Sequence, residues 1–60
     1  MEINIGQMAY MGDVWYQVMD KRHGKNELSG AVGMEYKLYS KDYWVPSSWI
    51  KDVKNKGERK

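Results

Sequence analysis

The stretch Asp42–Val53, DYWVPSSWIKDV, carries Pro46, the single proline of a 60-residue chain, with Trp44 and Trp49 on either side of it. Two of the three tryptophans thus crowd around the one rigid point of the backbone. Proline has no N–H to give to a sheet ladder, so the short strand YWV must halt there. A proline at a first helical position, followed by the small polar pair Ser47–Ser48, suits one 3₁₀ turn. IKDV, Ile50–Val53, then reads as a last short strand. Successive strand residues point to opposite faces. Val45 and Ile50 are therefore expected inside, Trp44 on the face opposite Val45, and Trp49 on the turn itself.

Working outward, glycines punctuate the chain at 6, 12, 24, 30, 33 and 57, with runs rich in Val, Ile, Tyr and Trp between them. That spacing denies a helix its three- and four-residue apolar rhythm and favours short strands joined by turns. The first strand is expected over Ile5–Met11 and the second over Val14–Asp20, with Gly12–Asp13 as a tight reversal between them. In the second, Val14, Tyr16 and Val18 share the core face, leaving Trp15 on the other. Lys21–Gly30, KRHGKNELSG, reads as a polar loop. The third strand, from about Ala31, puts Met34, Tyr36 and Leu38 inside, with Glu35, Lys37 and Tyr39 on a wet side.

The fold class expected is all-β, in one small domain. A chain this short buries only ~60% of the surface its unfolded form exposes. It has no cysteine to staple the core. Burial of apolar surface must therefore supply the stability, and three Trp and five Tyr, without any Phe, are its large-area residues. So small a core cannot hide all eight, so some are expected at the surface as an interaction patch. Trp, Tyr and Met are also residue types enriched in interface cores.

The formal charge is +2, but eight of the ten basic residues lie in KRHGK (Lys21–Lys25) and in the tail KDVKNKGERK (Lys51–Lys60). Lys21, Arg22, Lys25, Lys51 and Lys54 could contact phosphates, with an exposed Tyr39 or Trp15 stacking on bases. This makes nucleic acid the alternative partner to a protein. Catalysis finds little purchase. His23 has no Ser, Cys or carboxylate at motif spacing, and GAVG (Gly30–Gly33) lacks the lysine of a phosphate loop. A lone histidine without cysteine makes no zinc site. The expectation is a non-enzyme without cofactor or metal. No apolar run approaches the ~20 residues of a membrane helix, and MEINIGQM does not read as a signal peptide. A cytoplasmic protein is expected.

YWVPSSWIKDV (Tyr43–Val53) resembles the hallmark segment of SH3-like barrels: aromatic, apolar, Pro, Ser, polar, aromatic, apolar. IGQMAYMGDVWYQV (Ile5–Val18) is similar to the opening hairpin of small SH3-like domains of bacteria and phages. The resemblance implies a five-stranded barrel over residues 1–53, a 3₁₀ turn before the last strand, and a flexible basic tail over 54–60. It also implies a protein-binding surface containing Pro46 and Trp49, joined by Tyr10; strand alternation adds Trp15 and Trp44. It suggests a small phage or mobile-element protein that modulates a host protein, as a monomer or weak homodimer. The chain departs from the proline-rich-peptide binders of that family: its third strand begins GAVGMEYKL, without tryptophan, and the loop before it is basic. Tudor-type and KOW-type relatives, some of which bind nucleic acid, share the same architecture.

Overall fold

The computed structural model describes residues 3–57. Five antiparallel strands and one 3₁₀ turn follow in chain order: β1 (Met8–Met11), β2 (Val14–Lys25), β3 (Val32–Leu38), β4 (Trp44–Pro46), the turn Ser47–Trp49, and β5 (Asp52–Lys54). They form one all-β sheet in the order β4-β3-β2-β1-β5.

β2 is the spine. Its first part, Val14–Gln17, pairs with β1, and its second, Val18–Lys25, pairs with β3. The handover falls at Met19, where the register with β3 shifts by one residue. An extra residue of this kind bends a strand and increases its twist, so one long strand serves both halves of the sheet. The β1–β2 hairpin closes on Gly12 and Asp13, at φ 65° and 96°. A type I′ two-residue turn needs φ > 0 at both central positions, and Gly supplies one of them without strain.

One face of the bent sheet holds the core: Ile3, Ala9, Val18, Tyr36, Leu38, Val45 and Ile50, with Met11, Tyr16, Met34, Tyr43 and Val53 packed against them. Cross-strand register makes the pairs Val18–Leu38, Tyr36–Val45 and Ala9–Tyr16. Tyr36 is fully buried, and its Oη accepts the Ile3 N–H at 3.2 Å. This ties the segment before β1 to the centre of β3 and satisfies a polar group that would otherwise be costly to bury.

Several expectations are corrected. β2 does not stop at Asp20: Lys21–Lys25 continue it, paired with Val32–Tyr36. An antiparallel strand with one solvated face tolerates such polar residues. β1 begins at Met8 because residues 5–7 form a turn, though the Gly6 N–H still reaches the Val18 carbonyl at 2.8 Å. Val14 is half exposed at the hairpin end, not core. Glu35, expected wet, is buried. β5 starts at Asp52, because Ile50 closes the 3₁₀ turn by donating its N–H to the Ser47 carbonyl. Lys54 belongs to β5, opposite Met8, and is not tail. Residues 58–60 of the expected tail lie outside the described residues. The sheet is also open where a closed barrel was expected, with β4 and β5 at its two ends. Each is three residues long, and Pro46 deprives the end of β4 of a donor.

Candidate functional site

The outward side of β2, β3 and β4 is organised around a buried carboxylate. Register sets Arg22 opposite Glu35 and Lys37 opposite Trp44. The Arg22 Nε donates to Glu35 Oε2 at 2.8 Å. Asn26, at the end of the β2–β3 hairpin, donates through Nδ2 to Glu35 Oε1 at 2.8 Å and to the Trp44 carbonyl at 2.9 Å. Its Oδ1 accepts the N–H groups of Leu28 and Ser29, at 2.9 and 3.0 Å. One buried amide thus spends both donors and its acceptor oxygen on joining loop 26–31 to β3 and β4. This arrangement is what buries Glu35. The Arg22 hydrogen bond holds the Glu35 carboxyl below the usual carboxylate range; burial opposes the shift, and the Asn26 bond and the Arg22 charge reinforce it.

The Arg22 guanidinium also lies over the Trp44 ring, 4.2 Å from its centroid, and the Lys37 ammonium approaches the same ring at 5.7 Å. Trp44 is therefore held from both its backbone and its ring. Beside it opens a cleft of about 140 Å³, lined by Arg22, Glu27, Leu28, Asp42, Tyr43 and Trp44. The β2–β3 loop and the connection into β4 form its two rims.

The other expected aromatic residues do not join this cluster as one patch. Tyr10 and Trp15 are a cross-strand pair on β1 and β2, ring centroids 5.0 Å apart and tilted by 48°. Lys54 caps Trp15 at 4.5 Å. Trp49 rides the 3₁₀ turn, 39% exposed. Pro46 is buried opposite Glu35, so it is not the exposed contact residue expected of it. Register with β3 puts it there: Pro46 shares the outward side with Glu35.

The basic residues are likewise dispersed. Lys21 and Lys25 lie on β2, opposite Tyr36 and Val32. Lys54 stands in the row of Met8 and Gln17, so it and Lys25 are separated by eight residues of β2 (25 − 17), on the order of 25 Å of strand at ~3.3 Å per residue. Arg22 is engaged by Glu35 and Trp44. Lys51 is exposed beside β5, its N–H donating to the Tyr10 carbonyl. Tyr39 is 65% exposed, as a stacking residue must be. Among the described residues no three His, Cys, Asp or Glu side chains converge as metal ligands, and no helix is long and apolar enough to cross a membrane.

Asn26 and Glu35 were missed by sequence reasoning. Glu35 sits in a clean polar-apolar alternation that looks solvated, and its partner is thirteen residues away. Asn26 carried a usable signal: an Asn opening NELSG is a residue whose side chain accepts N–H groups two and three positions on. No protein-family model, curated protein or solved structure matches this chain.

Proposed function

We propose that this chain is a non-enzymatic protein-binding module, with the cleft beside Trp44 as its anchor point. The observation that carries the reading is the cleft's size and construction. Pockets for drug-sized ligands run to ~300–1,000 Å³; a cleft of about 140 Å³ suits one side chain of a partner instead. Its aromatic wall is held in place by the Asn26–Glu35–Arg22 network before any partner arrives, which lowers the ordering cost of binding. Tyr10, Trp15 and Trp49 offer further aromatic surface away from it. The fold we assign to the module is SH3-like. Its support is the five antiparallel strands and the 3₁₀ turn that follows Pro46 and precedes β5. A small phage or mobile-element protein acting in the cytoplasm on a host protein is the setting this reading implies.

The test is affinity capture from the native cell extract with the intact chain, the Trp44→Ala variant and the Trp49→Ala variant, each checked for fold by NMR. A partner retained by the parent chain and lost with folded Trp44→Ala supports the proposal. Retention of every partner by that variant refutes it.

Nucleic acid is the second reading, with Lys21, Arg22, Lys25, Lys51 and Lys54 as phosphate contacts and Tyr39 as the stacking residue, favoured by the exposure of Tyr39. Affinity of that kind falls steeply with salt as phosphates are neutralised. Absence of oligonucleotide binding at low salt eliminates it.

A further inference from the structure

The cleft carries a charge pattern opposite to that of the chain as a whole. Its charged lining is Arg22, Glu27 and Asp42. Arg22 is paired through Nε with Glu35 at 2.8 Å and lies over Trp44. Glu27 and Asp42 are exposed, and among the described residues neither has a hydrogen-bond or ion-pair partner. Two uncompensated carboxylates therefore flank two aromatic rings, Tyr43 and Trp44, in a chain whose formal charge is +2.

From this geometry we infer that the cleft receives a lysine or arginine side chain of the partner polypeptide. The inference rests on the protein-binding reading and names the chemistry of that same site. Aromatic faces attract cations, and beside Trp44, which already holds Arg22 and Lys37, the cleft presents Tyr43. The carboxylates of Glu27 and Asp42 supply the complementary charge, which selects partners and speeds encounter. Leu28 lines the same cleft, where the aliphatic stem of a long basic side chain packs while its charged head meets the rim. An acidic side chain would meet both carboxylates, and the one cation in the lining already shares its charge with Glu35.

Amide titrations followed by ¹H–¹⁵N NMR test this directly, using Nα-acetyl-lysine methylamide and Nα-acetyl-arginine methylamide as probes. The uncharged norleucine and the anionic glutamate analogues serve as controls. The expected result is a saturable shift of the Trp44 indole N–H and the Tyr43 amide with the two cationic probes, and a much weaker one with the controls. In the Glu27→Gln/Asp42→Asn double variant, both exposed positions, the cationic probes should bind ~tenfold more weakly, equivalent to ~1.4 kcal/mol. Equal shifts with norleucine, preference for the glutamate analogue, or undiminished binding by the double variant overturn the inference. The probe comparison on the parent chain decides the matter even if the variant misfolds. Failure here is separable from failure of the parent proposal. A partner lost with Trp44→Ala, together with equal norleucine shifts, overturns only the basic occupant. Saturable cationic shifts with no Trp44-dependent partner overturn only the protein-binding reading.

Discussion

Asn26 donates to Glu35 across 2.8 Å, and both residues are 1% exposed. A neutral amide and a carboxylate thus occupy the cover of a sheet face that alternation alone assigns to water. Two walls of the cleft hang on this contact: the same amide nitrogen holds the Trp44 carbonyl, and the same carboxylate holds Arg22.

Removing the amide should therefore be costly. Asn26→Ala strips a partner from the Trp44 carbonyl and from the N–H groups of Leu28 and Ser29. Leaving buried polar groups unpaired costs ~1–3 kcal/mol. The expected outcome is a lower midpoint in urea with little change in slope. Asn26→Asp should be worse at neutral pH, since it sets a second carboxylate against Glu35, and should recover part of the loss in mild acid.

The lowered Glu35 pKa makes stability pH-dependent with a defined sign. A carboxyl whose folded pKa lies below its unfolded value binds fewer protons when folded. Its contribution is fully present above the ordinary value of 4.5 and is lost as pH falls through the folded pKa. Urea midpoints measured from pH 7 down to pH 2.5 should fall for the parent chain below about 4.5. The same series with Glu35→Gln should start lower at pH 7 and decline less steeply in that window.

The two tryptophans around Pro46 should respond differently to truncation. Trp49 is exposed on the turn and outside the core cluster, so Trp49→Ala should change stability by no more than ~1 kcal/mol. Trp44→Ala removes the ring under Arg22 and Lys37. The Arg22 side chain is 46% exposed, and cation–π contacts at exposed sites are worth ~0.5–1 kcal/mol; lost packing adds to that. Thermal melts of both variants provide the comparison; unfolding of both would place the two rings in the core.

Asp13 offers a stabilising change. It is a non-glycine residue at φ 96° in the β1–β2 hairpin, a conformation that costs an L-residue ~1–2 kcal/mol. Asp13→Gly should relieve that strain, offset in part by the greater freedom of glycine in the unfolded chain. A rise in melting temperature of a few degrees, on the scale of ~4–8 °C per kcal/mol for a domain of this size, is the expected reading.

Much of the fold was legible because it follows from local rules. Gly12–Asp13 predicted a reversal, and the turn forms there with φ > 0 at both positions. Pro46–Ser47–Ser48 predicted a 3₁₀ turn, and Ser47–Trp49 is one. Period-two alternation put Tyr36, Leu38, Val45 and Val18 inside, and all four are buried. The misreadings share a cause. Lys21–Lys25 looked like loop because their composition is polar, yet β3 offers them a ladder. Glu35 looked solvated because its own strand says so, yet loop 26–31 folds over it.

Local pattern alone carries the all-β class, the positions of the Gly12–Asp13 and Ser47–Trp49 turns, the inward rows of β3 and β4, and the separation of Trp44 from Val45. These depend on φ limits, a missing N–H and the pleat of a strand, all properties of a few neighbouring residues. Tertiary packing alone settles that β2 shifts register at Met19 to serve both halves of the sheet and that Pro46 is buried. It also decided that the aromatic residues separate into distinct groups, and that Arg22, Asn26, Glu35 and Trp44 meet. Those outcomes turn on strand register and on which loop covers which face, and register couples residues ten or twenty positions apart that carry no mark of one another in the chain.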